Sequence, residues 1–141
     1  MTVAERLVAI LKAKGLMCAT SESCTGGGVG AAITSVPGSS AVFLGGVISY
    51  ANAVKQGVLG VSPTTLETVG AVSSETAAQM ADGARRLLKT DLAVSVTGIA
   101  GPDGGSAAKP VGLVWFGLAT KDGVRTEKAI FAGDRAAVRA Q

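Results

Sequence analysis

The sequence predicts a single α/β domain, a three-layer α/β/α sandwich built on a mixed, mostly parallel sheet. Segments with helical spacing alternate with short apolar segments along most of the 141 residues. Loops rich in glycine and small residues separate these segments, and a hairpin signal precedes the last helix start. No repeat or linker divides the chain, so we expect one domain over residues 1–141.

The first half of the chain predicts three helices and two strands. Thr2 and Glu5 have the spacing of a capping box, and the helical pattern that follows runs to Gly15. The remaining elements are a strand over 16–21, a small-residue helix from 28 to about 35, a buried strand over 43–50 and a short helix over 52–59.

The second half predicts three more helices and three strands. Ser62 and Pro63 form a helix start, with a brief helix to 69, and Ser73 caps a longer helix with an apolar stripe to Leu88. The strands are expected over 92–97, 111–119 and 124–131, with a hairpin turn over 121–123, and Asp134 begins the final helix.

The absence of histidine restricts the chemistry more than any other feature of the composition. It excludes Ser-His-Asp and Cys-His catalysis and histidine-ligated zinc. A catalytic base has to be a lysine, a carboxylate, a tyrosine or a terminal amine. Cys18 and Cys24 are too few for a zinc site or a disulfide framework, so we expect no metal and a reduced, cytoplasmic setting.

Charge and hydropathy exclude other partners. Thirteen Lys and Arg against ten Asp and Glu give a net charge of +3, and the basic residues are scattered rather than gathered into a stripe. We therefore expect no nucleic-acid partner. No apolar run approaches the roughly 20 residues of a membrane span, and the amino terminus does not resemble a signal peptide. The positive balance suits a small anionic ligand and an ordinary soluble protein equally well.

A first candidate site lies over residues 21–28, between a strand and a helix. Its hydroxyls and glycine amides, including Ser23, Thr25 and Gly26, are placed to hold a phosphate at the helix N-terminus. A tight turn with glycines used for packing explains the same residues. Cys24 is a weaker candidate nucleophile, because its position also suits a small packing residue.

A second candidate combines Ser40 with Tyr50 and Lys55. Without histidine, a serine nucleophile needs another proton acceptor, and a lysine with a lowered pKa is an attested one. Lys55 follows a strand and opens a helix, so it could turn back toward Ser40 or its neighbour Ser39, with Tyr50 relaying a proton. A surface lysine, a half-buried tyrosine and a serine turn explain these residues without any activity.

A third candidate is the glycine-rich loop after the strand over 92–97. Thr97 and the amides around Gly98 could bind a ligand or an oxyanion, and Arg135 at a helix start could meet a phosphate. An ordinary flexible connection and a solvated arginine are the alternatives.

Seven segments in order along the chain carry a family resemblance. They are SESCTGG (21–27), GSS (38–40), YANAVK (50–55), GAVS (70–73), SVTGIAGPDGG (95–105), KPVG (109–112) and GDR (133–135). Together they resemble the CinA C-terminal domain family, which includes stand-alone nicotinamide-nucleotide amidohydrolases. The 141 residues contain no segment that resembles the pyrophosphatase-type N-terminal domain of longer family members, and the resemblance implies a C-terminal helix that is longer than the part reaching Gln141.

The resemblance implies an α/β/α sandwich, a homodimer and no cofactor. It implies hydrolysis of the carboxamide of nicotinamide mononucleotide to nicotinate mononucleotide and ammonia, within pyridine nucleotide recycling. The family's serine and lysine match Ser40 and Lys55, with Tyr50 between them, and further positions tied to activity or substrate match Ser23, Thr97 and Arg135. The competing interpretations are a pyridine-nucleotide-binding module without catalysis and a dimerisation domain.

Overall fold

A five-stranded mixed sheet forms the centre of the computed structural model, which describes residues 1–141. The spatial order of the strands is second, first, third, fourth, fifth, with parallel pairing among the first three and antiparallel pairing for the last two. Four strands therefore point one way and only the fourth is reversed. The strands are β1 (Cys18–Glu22), β2 (Phe43–Ile48), β3 (Leu92–Gly98), β4 (Leu113–Thr120) and β5 (Gly123–Ile130).

Six helices surround the sheet, each beginning close to its predicted start. The capping box of Thr2 and Glu5 is formed, and the side chains of Ser73 and Asp134 accept hydrogen bonds from the first turns of their helices. The helices are α1 (Val3–Lys14), α2 (Gly28–Thr34), α3 (Asn52–Leu59), α4 (Pro63–Thr68), α5 (Ser74–Leu88) and α6 (Arg135–Ala140).

Neighbouring residues of β1 show that the sheet is covered on both faces. Cys18 packs with Val8 and Leu11 of α1, whereas Ala19 packs with Met80 and Ala84 of α5. Successive side chains of a strand point to opposite faces, so each face has its own helical layer. The predicted three-layer sandwich is confirmed, with α1, α2 and α6 on one side and α3, α4 and α5 on the other.

The position of β1 between β2 and β3 determines where a site can form. The chain passes from β1 to β2 on one side of it and then crosses back to β3 on its other side, and the carboxyl ends of all three parallel strands lie at one edge of the sheet. A crevice outside such a reversal of strand order is the usual ligand position in open α/β sheets. The segments after these three strands are therefore the ones that build the candidate site.

Candidate functional site

Lys55 is a buried lysine without an acidic partner. Its side chain is 1% exposed, and the only salt bridge in the structure joins Arg86 to Asp82 on α5. Burial lowers the pKa of Lys55 below its ordinary value, and the neighbouring Cys24 opposes this shift. Because the amine is buried and no carboxylate forms a salt bridge with it, the neutral form is favoured here relative to an exposed lysine.

The Lys55 amine has three oxygen neighbours within hydrogen-bond distance. Its Nζ lies 3.0 Å from Oγ of Ser23, 2.8 Å from the carbonyl oxygen of Ser49 and 3.0 Å from the carbonyl oxygen of Tyr50. Carbonyl oxygens only accept hydrogen bonds, so a neutral amine donates to both of them and directs its lone pair at Ser23. The protonated amine donates to the same three oxygens, so both states fit without rearrangement.

The strand ends hold these groups in place. The backbone N–H of Ser23 donates to the carbonyl of Val96 at 2.9 Å, which ties the residue after β1 to β3. The backbone N–H of Ser49 donates to the carbonyl of Glu22 at 2.7 Å, which ties the residue after β2 to β1. Ser23 and Ser49 are consequently fixed at one edge of the sheet, and α3 folds back to bring Lys55 between them.

Glu22 anchors the loop that follows Ser23. Its buried carboxylate accepts hydrogen bonds from the backbone N–H groups of Gly27, Val29 and Gly30 at 3.2, 2.8 and 2.9 Å. The hydroxyl of Thr25 donates to the same carboxylate at 2.6 Å. An acidic group at a helix N-terminus satisfies N–H groups that have no partner within the helix. Here the acidic group is the side chain of Glu22, so the amides at the start of α2 already have an acceptor within the protein.

A cavity of about 320 Å³ opens in front of Lys55 and Ser23. A volume of this order suits a small-molecule ligand. Its walls come from the residues after β1, from the start of α3, from Ala71 and Val72, from the glycine-rich loop after β3 and from Arg135 at the start of α6.

Arg135 forms one rim of the cavity and fixes two of its walls. Its guanidinium donates to the carbonyl oxygen of Gly101 at 2.7 Å and to the hydroxyl of Tyr50 at 3.3 Å. Gly101 has a φ of +85°, a conformation that favours glycine, so this loop has the constrained backbone that its composition predicts. The guanidinium keeps further N–H donors for a ligand anion.

Thr97 and Gly98, two candidate binding residues, line the cavity. The hydroxyl of Thr97 donates to the carbonyl oxygen of Ala71 at 2.8 Å, and its side chain is 1% exposed. The hydroxyl oxygen can still accept a hydrogen bond, but its proton is already donated to the carbonyl oxygen of Ala71. Thr97 therefore holds the Ala71 wall of the cavity in place.

The predicted contact between Lys55 and Ser40 is not formed within the chain. Ser39 and Ser40 belong to a 3₁₀ turn before β2, whereas Lys55 follows β2. Six residues of strand separate the two ends by about 20 Å. Neither serine lines the cavity, and the serine that meets Lys55 is Ser23.

Tyr50 contacts Lys55 in a different way from the predicted proton relay. Its backbone carbonyl accepts from the amine, while its hydroxyl meets Arg135 and its side chain is 62% exposed. The side chain thus belongs to the rim of the cavity.

The predicted phosphate site at the N-terminus of α2 is already occupied by the Glu22 carboxylate. The amides that a phosphate would need donate to Glu22, and so does the hydroxyl of Thr25. The N–H of Gly26 donates to the carbonyl oxygen of Ser23. Thr25 and Gly26 shape the turn after Ser23, and neither lines the cavity.

Several residues of this region were not identified from the sequence as site residues, and four of them contribute polar groups. Their contributions are a backbone carbonyl, a buried carboxylate, a cavity wall and a guanidinium from the last helix, and they are Ser49, Glu22, Asn52 and Arg139. Of these residues, only Glu22 could have been recognised in the sequence. A carboxylate at the end of an otherwise uncharged buried strand requires hydrogen-bond partners inside the protein.

A second cavity lies on the opposite face of the sheet. It measures about 410 Å³ and is lined mostly by apolar side chains of α1, α2, β3, β4 and α6. It contains no counterpart of the Lys55 and Ser23 pair, so the smaller polar cavity is the candidate site. The structure has no group of three or more His, Cys, Asp or Glu side chains arranged for a metal ion, and none of its helices has the length and apolar character of a membrane span.

The sequence model of the CinA C-terminal domain matches residues 1–141. The chain belongs to the CinA C-terminal domain family. This CinA domain is 58% identical over 134 residues to the nicotinamide-nucleotide amidohydrolase PncC of Enterobacter agglomerans, covering 94% of the chain and 82% of that protein. A CinA-like protein of Parasynechococcus marenigrum is 52% identical over 134 residues, which cover 95% of the chain.

Solved structures show the same fold. The competence/damage inducible protein CihA of Agrobacterium tumefaciens has a TM-score of 0.93 at 46% identity, over 96% of this CinA domain and 84% of that chain. A CinA superfamily protein of Klebsiella pneumoniae has a TM-score of 0.94 at 36% identity, over 98% and 86%. The CinA domain spans about a third of the length of several curated relatives, 31% in Halothermothrix orenii and 32% in Parasynechococcus marenigrum.

Proposed function

We propose that this domain hydrolyses the carboxamide of nicotinamide mononucleotide, with Ser23 as nucleophile and Lys55 as general base. The observation that carries the proposal is the 3.0 Å contact between the buried Lys55 amine and the Ser23 hydroxyl at the base of a cavity. The 58% identity to a nicotinamide-nucleotide amidohydrolase supports the substrate. A lysine that replaces histidine as the base also agrees with a chain that has no histidine.

In the acylation step, Lys55 removes the proton of Ser23 as Oγ attacks the carboxamide carbon. The electron pair of the C=O double bond moves to oxygen and forms a tetrahedral intermediate. The protonated Lys55 then gives its proton to the carboxamide nitrogen, the C–N bond breaks, and ammonia leaves. The product of this step is an ester between the nicotinoyl group and Ser23.

In the deacylation step, water attacks the ester carbon while Lys55 accepts its proton. Collapse of the second intermediate returns the proton to Ser23 and releases the carboxylate. The carbonyl oxygens of Ser49 and Tyr50 remain hydrogen-bonded to the amine throughout, so Lys55 gains and loses protons without moving. Preorganisation of this kind lowers the barrier because no group has to reorient.

The nucleotide phosphate is proposed to bind at the Arg135 rim. The guanidinium is already oriented by Gly101 and Tyr50, and it is the cationic side chain at the mouth of the cavity. The amides of the glycine-rich loop supply further donors. The carboxylate of Asp103 lies on the same wall and would repel a phosphate. We therefore expect the phosphate on the Arg135 side of the loop.

The family relationship supports the wider setting that we propose. The enzyme acts without a cofactor in the cytoplasm, as a homodimer, and recycles pyridine nucleotides. A catalytically inactive binding module is the competing proposal, and it predicts nucleotide binding without release of ammonia.

Release of ammonia from nicotinamide mononucleotide tests the proposal. We expect Ser23→Ala and Lys55→Met each to lower kcat by about a thousandfold or more, because the nucleophile and its base act as one unit and the loss of either removes the contribution of both. Ser40→Ala is the matched control, and we expect it to keep the activity of the unmodified protein. Loss of activity in Ser40→Ala with retention in Ser23→Ala would contradict the proposed nucleophile. Binding of the nucleotide by the unmodified protein without any ammonia release would favour the binding module.

A further inference from the structure

Arg139 connects the last helix to the turn that follows Ser23. It lies one turn after Arg135 on α6, and its Nε donates to the carbonyl oxygen of Cys24 at 3.0 Å. Its Nη2 lies 3.3 Å from the carbonyl oxygen of Thr25. The two arginines of α6 therefore hold different walls of one site, Arg135 the glycine-rich loop and Arg139 the turn after Ser23.

These contacts determine where two backbone N–H groups point. In a trans peptide unit, the C=O and the following N–H point in opposite directions. The carbonyl oxygen of Ser23 accepts from Gly26 at 3.1 Å, so the N–H of Cys24 points away from Gly26. The carbonyl oxygen of Cys24 accepts from Arg139, so the N–H of Thr25 points away from the guanidinium.

Neither of these N–H groups donates a hydrogen bond to another residue of the protein. The backbone hydrogen bonds of the turn start at Ser23, Gly26 and Gly28, and none starts at Cys24 or Thr25. Cys24 lines the cavity, although its side chain packs in the apolar cluster with Val138 on the far side. The free donors thus follow directly after the proposed nucleophile.

We propose that Arg139 is a positioning residue that holds the turn after Ser23 so that the N–H of Cys24, which lines the cavity, faces the oxyanion formed on attack by Ser23. This inference rests on the proposed function, because it requires Ser23 to be the nucleophile. Hydrogen-bond donors placed where negative charge develops stabilise the transition state more than the substrate. An N–H from the residue after the nucleophile serves this purpose in other hydrolases built on strand-to-helix turns.

The kinetic test compares Arg139→Met with Arg86→Met, an exposed arginine of α5 that lies outside the site. We expect Arg139→Met to lower kcat about tenfold with KM changed less than about twofold, since loss of a whole oxyanion donor costs about 10² to 10³. Arg139→Lys retains the charge but not the two-pronged donor, so we expect it to recover only part of kcat. An unchanged kcat in Arg139→Met would overturn the inference, and so would a loss that appears in KM alone.

A second measurement separates positioning from a merely structural role. A nicotinamide mononucleotide analogue with an aldehyde in place of the carboxamide accepts Ser23 Oγ at its carbonyl carbon and becomes a tetrahedral hemiacetal. We expect Arg139→Met to weaken the Kd of this aldehyde about tenfold while the Kd of nicotinate mononucleotide changes less than about twofold. Equal weakening of both ligands would show that Arg139 only supports the fold of the site.

The aldehyde also separates failure of this inference from failure of the proposed function. If Ser23→Ala binds the aldehyde as tightly as the unmodified protein, Ser23 is not the nucleophile and both proposals fall. If Ser23→Ala loses the tight binding and Arg139→Met retains it, only the role of Arg139 is overturned. Arg139→Gln, which keeps an uncharged N–H donor on a shorter side chain, replaces Arg139→Met should the latter not fold.

Discussion

The amine of Lys55 lies 3.0 Å from the hydroxyl oxygen of Ser23, across 32 residues of sequence. The carbonyl oxygens of Ser49 and Tyr50 take the other two positions around the nitrogen, and no carboxylate pairs with it. A buried amine in these surroundings has one direction left for its lone pair, which is toward Ser23. This relationship explains how a chain without histidine can hold a base next to a serine.

The pH dependence of kcat/KM should report the titration of Lys55. The base has to be neutral, and burial lowers the pKa of Lys55 below its ordinary value of 10.5. We therefore expect kcat/KM to rise with pH and to level off below 10.5, as measured by ammonia release across the pH range. A profile that rises only near the ordinary lysine value would show that Lys55 is not the base.

The same shift has a consequence for stability. Because the folded state holds Lys55 with a lowered pKa, the unfolded chain binds more protons between that pKa and 10.5. The contribution of Lys55 to the free energy of unfolding then rises with pH through this window and is constant above it. The difference in unfolding free energy between the unmodified protein and Lys55→Met, measured by urea denaturation at several pH values, should follow this slope.

Cys24 should be dispensable for activity although it neighbours Ser23. Burial raises the pKa of its thiol, and its side chain packs in an apolar cluster with Val96 and Val138. A protonated thiol in such surroundings is a poor nucleophile. We expect Cys24→Ala to keep kcat/KM within about threefold, and to lose stability of about 1 kcal/mol from the deleted packing. Cys18→Ala, which changes a buried cysteine of β1 that packs against α1, is the control for packing loss alone.

Glu22 should matter for stability more than an exposed glutamate does. Its carboxylate accepts from three amides of the α2 start and from Thr25, and its side chain is 2% exposed. In Glu22→Gln the uncharged amide accepts these bonds more weakly and its NH₂ group faces other donors. We expect the free energy of unfolding to fall by about 2 kcal/mol.

Glu67→Gln on α4 provides the matched control, because the Glu67 side chain is exposed and forms no hydrogen bond in the structure. Urea denaturation of both variants measures the comparison. Equal stability of the two variants would show that the Glu22 contacts contribute little.

Two helical glycines should respond oppositely to alanine. In Gly83 of α5, an added Cβ would lie 2.0 Å from the carbonyl oxygen of Leu59, whereas in Gly57 of α3 it would meet no atom within 4 Å. Helix propensity alone favours alanine at both positions by up to about 1 kcal/mol. We expect Gly57→Ala to raise Tm and Gly83→Ala to lower it, because α3 and α5 have to separate. A rise in Tm for both would contradict the close approach of these helices.

The local elements could be predicted because their signals are local. A proline at a first helical position, a capping serine and an apolar period each act within one helix turn, so α3 and the starts of α4 and α5 agree with prediction. The ends of β1 and β4 differ from prediction by one or two residues, since hydrogen bonding to neighbouring strands decides where a strand stops.

The site could be predicted only in part. Lys55, Thr97, Gly98 and Arg135, which the sequence offered as candidates, all line the cavity, and Ser23, a candidate binding residue, contacts the amine directly. The phosphate site at α2 could not be judged from glycines and hydroxyls alone. The carboxylate that occupies it comes from the preceding strand, and a sequence does not show which way that side chain turns.

The sequence by itself determined the α/β class, the order of the elements and the restriction of the base to residues other than histidine. Only the tertiary structure decided which serine meets Lys55. Ser40 is nearer along the chain, but β2 is a rigid extended segment that holds Ser40 and Lys55 at its opposite ends. Parallel pairing of β1 with β2 brings their carboxyl ends together, so the residue after β1 reaches the lysine after β2. Pairing across the sheet, and not proximity along the chain, therefore selects Ser23 as the serine that contacts Lys55.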